Sequence, residues 1–374
     1  MTLIDAFFNA YINANILLVG AVSLWLITRY VMRLAGLKQA YGSQLRLLNS
    51  LFFAVALSPF VVAGYQYSVS MGVMQSAAVP NLSDFVVAQY LDGRFEMKAS
   101  EFAQVLSFRE TLTRDLLTLQ SPLGVALAVF FLGGFSVLSL RVLTSGVQLR
   151  NLIRSSYKWR QFGNVQLRLS DSIQVPFSTR SPWHRFIVIP TKMLENSNDL
   201  RMVLAHEFQH IRQRDVEWEI GLETLKPLFF WNPAFVIWKR SMGHLRELAC
   251  DQQILLRRDF NAEAYCDCLL RVCRDGIRSR SHRFVPNVAF VRIDRLPFSS
   301  NSARFLRHRV TSMLSAKAKR DGHQFFHVVR IPLVALILLG AVAIQRPGDW
   351  SHDRLMLSTI INLERLEALN APSP

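Results

Sequence analysis

The chain is poor in cysteine: only four occur in 374 residues, and all lie between positions 250 and 273. Cys250, Cys266, Cys268 and Cys273 form no spaced disulfide framework, which fits a reducing compartment. A paired-cysteine zinc finger is absent, and no segment reads as a helix-turn-helix. Direct nucleic-acid binding is therefore not expected, despite the strong positive charge. The start, Met1-Thr2-Leu3-Ile4-Asp5, lacks the basic n-region of a cleaved signal peptide. Charge is missing altogether from residues 47–71 and 122–140, among other stretches.

What the chain has in abundance is apolar surface and basic charge. Hydrophobic residues make up 51%, mean hydropathy is +0.20, and the formal net charge is +16 with a pI near 10.3. Four apolar runs, at about 12–28, 47–71, 122–140 and 328–345, approach the roughly 20 residues that a bilayer core requires. The fourth is short, with Arg330 near its start able to snorkel. Residues 141–330 hold 32 of the 43 Lys and Arg but 16 of the 27 Asp and Glu, so this segment alone is +16. Arg29, Arg33, Lys38 and Arg46 follow the first run, and Lys317, Lys319 and Arg320 precede the fourth. The loop between runs two and three is mildly acidic. The positive-inside rule then predicts an outside N-terminus and a cytoplasmic segment 141–330. The expected architecture is a mainly α integral membrane protein. It has a three-span region at 1–145 with an outside loop at about 72–121. A cytoplasmic α+β domain at 146–327, a fourth transmembrane helix at 328–345 and a short outside tail at 346–374 follow. A further apolar stretch, 225–238, is broken by Pro227, Asn232 and Pro233 and reads as a buried or interfacial element.

Within the cytoplasmic segment, residues 164–169 alternate as a half-buried strand, and 185–190 read as a second strand ending at a proline, with Phe186–Ile189 a candidate edge for pairing with an extended peptide. Pro176, Ser178, Ser181 and Pro182 mark a loop between them. Ser197-Asn198-Asp199 starts a helix that continues through Leu200, Val203, Leu204, Phe208 and Ile211. His206 and His210 sit on it at i and i+4, so both imidazoles leave one face. That spacing suits two nitrogen ligands of one Zn²⁺, with Glu207 beside them to reach a water on the metal. A catalytic zinc needs a third protein ligand. Glu247, in His244-Leu245-Arg246-Glu247-Leu248-Ala249-Cys250-Asp251, can supply it. Asp251, one turn on, can accept from a ligand histidine's other ring nitrogen. His244 is a candidate for stabilising an oxyanion. Around 261–274, Tyr265, Leu269 and Val272 share a helical face with Cys266, Leu270 and Cys273 near it. These thiols read as core, not as a second metal site.

His-Glu-x-x-His followed by Arg246-Glu247-Leu248-Ala249-Cys250-Asp251 resembles the BlaR/MecR-type membrane metallopeptidases. Phe230-Trp231-Asn232-Pro233, the segment from Val175-Pro176 to Ile189-Pro190, and Arg307-His308-Arg309-Val310 match further elements of that family. The resemblance implies a minimal gluzincin zinc-protease domain, with zinc held by His206, His210 and Glu247 and catalysis by Glu207. It implies a bacterial inner (cytoplasmic) membrane location and a protein substrate, a cytoplasmic regulator such as a BlaI-type repressor or the chain itself. Residues 346–374 are too few for the family's penicillin-binding sensor domain, which leaves a separate sensor protein as an expected partner. A housekeeping membrane-protein quality-control protease is the alternative enzyme. A non-proteolytic membrane transducer with a structural zinc is the alternative from another class.

Overall fold

The computed structural model describes residues 3–73, 82–94, 97–257, 260–280, 300–315, 323–344 and 352–370. Lys317, Lys319, Arg320 and Gln345, which bear on the fourth apolar run, lie outside the described residues. The first helices are α1 (Leu3–Leu34), α2 (Tyr41–Ser70), α3 (Leu82–Leu91), α4 (Ala99–Thr118) and α5 (Pro122–Ser155). Strands β1 (Tyr157–Phe162), β2 (Val165–Ser170), β3 (Phe177–Arg180) and β4 (Arg185–Pro190) follow. The remaining helices are α6 (Ser197–Gln213), α7 (Asp215–Leu225), α8 (Pro233–Leu255), α9 (Ala262–Arg280), α10 (Ser300–Leu314), α11 (His323–Ala343) and α12 (His352–Asn370). The protein is mostly helical with one small sheet. Helices α1, α2 and α5 are long and apolar enough to cross a membrane, while the apolar part of α11, Val328–Ala343, is shorter.

Two compact units emerge: Met1–Leu26 with Asn49–Leu132 and Gln324–Pro374, and Ile27–Leu48 with Gly133–His323. In the second, α5 runs almost directly into β1. Gly163, at φ 54°, makes the tight turn from β1 to β2 that its missing Cβ permits. The sheet order is β1-β2-β4-β3, with β2 and β4 parallel and the outer pairs antiparallel. The alternation of β4 splits its side chains between two cores. Ile187 and Ile189 join Leu167 beneath α6, whose stripe Leu200, Leu204, Phe208 and Ile211 packs against them. Val188 points the other way, toward Phe177, Ile173 and Leu149 of α5. The sheet is thus clamped between the metal-motif helix and the end of the third long helix.

Two of the four strands depart from expectation. Residues 177–180 pair with β4 instead of forming a loop, because four residues between prolines suffice for one antiparallel edge. β1 lacks a buried alternation and is exposed at nearly every position, so no periodicity announced it. The strand at 186–189, a candidate edge for substrate pairing, is instead flanked on both sides by β2 and β3.

In the first unit, the connection between α2 and α5 is not a plain loop. Val87 of α3, Ala99 and Phe102 of α4, and Leu357 of α12 form one apolar cluster. Glu364 of α12 caps α4: the N–H of Ala99 donates to Oε1 at 2.8 Å and that of Ser100 to Oε2 at 3.1 Å. These two backbone bonds favour the carboxylate and hold the Glu364 carboxyl below its ordinary value. Replacing Glu364 by Gln is expected to speed amide exchange at Ala99 and Ser100. In the unmodified chain the depressed group supports the contact above the usual carboxylate range. That support is lost as pH falls through the depressed value, and exchange at the two amides followed against pH checks the sign.

Candidate metal centre

Asn196 caps α6, accepting from the N–H groups of Asn198 and Asp199. Asp199 is held below its usual value by the Arg271 hydrogen bonds, which tie α9 to this end of the helix. At the other end the chain breaks at Arg214, which adopts the left-handed conformation (φ 59°). That break swings the first residue of α7, Asp215, back toward the helix that has just ended. His210 Nδ1 donates to Asp215 Oδ2 at 2.8 Å.

His206 is held from a different direction. Tyr265 Oη on α9 donates to Asp251 Oδ1 at 3.0 Å. Having spent its proton there, the hydroxyl accepts from His206 Nδ1 at 2.8 Å. Both histidines therefore carry their ring proton on Nδ1 and keep a lone pair on Nε2. The two Nε2 atoms face each other at 3.0 Å. Two lone pairs that close repel unless a cation lies between them. Glu247 completes the group, with Oε2 at 3.6 Å from His206 Nε2 and Oε1 at 3.8 Å from His210 Nε2.

The electrostatics express the same demand for positive charge. Burial alone would lower His206, but the negative groups beside it, Cys250 first and then Glu247, favour positive charge at this ring. Burial alone would raise Glu247, but Arg309 first, and then the histidines, hold it well below its ordinary value. A tetrahedral ion bonded at about 2.0–2.1 Å holds its ligand atoms about 3.3 Å apart. The separations among His206, His210 and Glu247 bracket that spacing, and two imidazoles with one carboxylate suit a divalent metal.

Asp251 was expected to meet a ligand histidine directly. It lies 3.7 Å from His206 Nδ1 and acts through Tyr265 instead. Its own charge is matched by Arg309 of α10, whose Nε and Nη2 each approach it at 2.8 Å. Arg309 Nη1 also lies 3.0 Å from Glu247 Oε2. Glu207 follows His206 on α6 and is buried. The His244 ring is stacked on Phe305, with centroids 4.0 Å apart. Cys250 is close to the two histidines: a donor set of His206, His210 and Cys250 lies within 4.8 Å. Its Sγ, however, faces His206 Nδ1 at 3.5 Å, the edge already bonded to Tyr265. Of the other thiols, Cys266 packs in the core with Tyr265 and Met313, and burial beside Asp199 pushes Cys268 up to about 12.

Asp215, Tyr265 and Arg309 were not anticipated in these roles. For Asp215 the signal was an acid five residues beyond His210. Tyr265 looked like one more apolar position on a helical face, and nothing in the local pattern around Arg309 marks it as buried.

A family model described as BlaR1 peptidase M56 matches residues 8–286. The chain belongs to the BlaR1 peptidase M56 family. This is a family of metallopeptidases, consistent with a metal at the donor group just described. Methicillin resistance mecR1 protein of Staphylococcus aureus is 32% identical over 71 residues, 18% of this chain and 12% of that protein. The protein of the same name from Staphylococcus epidermidis matches to the same extent. The matched region thus spans about an eighth of those relatives' length. Arg309 lies beyond the residues that the M56 model matches.

Partners of ligand histidines typically contribute roughly 10–100-fold to metal affinity. Asp215→Asn and Tyr265→Phe are each expected to weaken metal retention by that order, read by competition with a chromogenic chelator. Arg309→Ala strands the buried Asp251 charge and is expected to destabilise the fold by roughly 3–5 kcal/mol, measured by thermal unfolding.

Proposed function

We propose that this chain is a membrane-embedded zinc endopeptidase that cuts a cytoplasmic protein. The observation that carries the reading is the pair of Nε2 lone pairs facing each other beside Glu247. His206, His210 and Glu247 are the zinc ligands, Asp251 supports them through Tyr265, and Glu207 is the general base. Cys250 is not a ligand in this reading, because using it would require His206 to give up its bond to Tyr265. Bound there, zinc supplies a Lewis acid that polarises the scissile carbonyl and acidifies a water. Glu207 takes the proton from the attacking water and passes it to the leaving amine nitrogen. Arg309, itself held by Asp251, keeps the Glu247 carboxylate charged and oriented. An extended substrate segment adds to an open sheet edge. α6 packs against β3, so β3 is the edge assigned to it.

The domain plan is a three-span region at 1–145, a zinc domain at 146–327 on the cytoplasmic side, and a fourth span within 328–345. Support for the fourth crossing comes from α12, which packs on α3 and α4. Those helices connect the second and third spans, so 352–370 shares their side. The sheet follows the third span on the other side, and α10 packs with α8 there. The chain then recrosses between α10 and α12, where α11 is the apolar helix. The basic flanks Arg29, Arg33, Arg150 and Arg154 support a cytoplasmic zinc domain and an inner-membrane location. Kinship with the mecR1 proteins supports a role in transmembrane signalling, with a repressor-type substrate.

Glu207→Gln is expected to keep one zinc per chain and to lose proteolysis by at least roughly 100-fold. Metal analysis and cleavage of candidate regulators in wild-type and variant membranes check it. Undiminished cleavage by the variant would remove Glu207 from the mechanism.

A further inference from the structure

The turn that joins α7 to α8 carries an unusual surface. Twelve residues without a charge, 227–238, separate Lys226 from Lys239. Leu228, Trp231, Val236 and Ile237 within it are 37%, 40%, 57% and 42% exposed. Phe230 packs against Gly134 of α5 so closely that any side chain at 134 would overlap its ring. Gly134 lies seven residues before Arg141, the first charge on α5. At 1.5 Å per residue this places the contact about 10 Å inside the uncharged part of that helix.

We propose that residues 227–238, the turn together with the start of α8, are immersed in the hydrocarbon of the bilayer, anchored to α5 by Phe230 seated on Gly134. The backbone of the turn suits that medium, where unsatisfied polar groups are costly and irregular chain survives only if it satisfies itself. Leu228 and Phe229 donate to the Leu225 carbonyl, Asn232 to Phe229, and Phe235 to Asn232. The Asn232 side chain accepts from Ala234 N–H at 2.9 Å. Pro227 and Pro233 have no N–H to satisfy. Phe229 and Phe235 stack across the turn with centroids 5.5 Å apart, which fixes its shape from inside. The basic ends, Lys226 and Lys239, mark where the segment returns to water, and Lys239 pairs with Glu223 of α7. Lipid is the occupant because the contact depth is set by a helix that itself meets the criteria for a span. The helices leaving this turn carry Asp215 and Glu247, so the metal centre stands on a hairpin rooted in the membrane.

The test uses the full chain in nanodiscs whose lipids carry bromine on the acyl chains. The difference in emission between wild type and Trp231→Phe isolates Trp231. The expected difference spectrum is blue-shifted, strongly quenched by the brominated lipid and little affected by aqueous acrylamide. Quenching by acrylamide and not by bromine would put the turn in water and overturn the proposal. Insensitivity to both would mean that protein covers it, whether this chain or a second copy, and would overturn it equally. Gly134→Leu, which unseats Phe230, is expected to reduce the brominated-lipid quenching of Trp231; unchanged quenching would show that the Phe230 seat does not anchor the turn.

Discussion

Everything at the metal centre follows from one constraint: two imidazoles on consecutive turns of α6 present lone pairs to each other 3.0 Å apart. Helix geometry alone brings the rings together, since residues four apart share a face. It does not choose which nitrogen looks inward. That choice is made by Asp215 and Tyr265, each of which takes an Nδ1 proton. The Nε2 atoms are then left as acceptors without a donor, in a partly buried place where a positive ion answers the need.

Four further helices contribute to holding that arrangement. Asp215 comes from α7 through the break at Arg214, Glu247 and Asp251 from α8, Tyr265 from α9 and Arg309 from α10. Buried charges of this kind give little net stability, because desolvation offsets much of their attraction. They do penalise alternatives: removing any partner leaves a charge without water or counterion. The tertiary packing of α6 through α10 and the tautomer of two histidines are therefore one linked problem. The sheet gives α6 a rigid floor, with Leu167, Ile187 and Ile189 packed against Ile211 of the helix, so the helix cannot rotate its histidines away from Glu247.

Much of this was legible in the sequence, for physical reasons that differ by residue. That His206 and His210 face each other was legible because residues four apart share one helix face. Glu247 and Asp251 were visible because carboxylates on an otherwise apolar helix need a reason to be there. The uncharged runs identified α1, α2 and α5 because length and apolarity are the whole requirement for crossing a bilayer. Tyr265 was hidden because a buried phenol and a buried phenylalanine leave the same periodicity. Arg309 was hidden because a cation in a basic segment looks solvated until its long-range partners are known, and they lie about sixty residues earlier. Asp251 illustrates the limit: its importance could be read, but its route to His206 through Tyr265 could not. β3 escaped because a four-residue edge strand is too short to show a pattern, and that omission misplaced the free edge of the sheet.

The central claim is the identity of the ligand set, and the nearby Cys250 makes it decidable. X-ray absorption at the zinc edge of the purified full chain reads the scatterers around the ion directly. The account predicts only nitrogen and oxygen neighbours at about 2.0–2.1 Å, with the imidazole multiple-scattering pattern of two histidines. A sulfur neighbour at about 2.3 Å would show that Cys250 holds the metal and would contradict it.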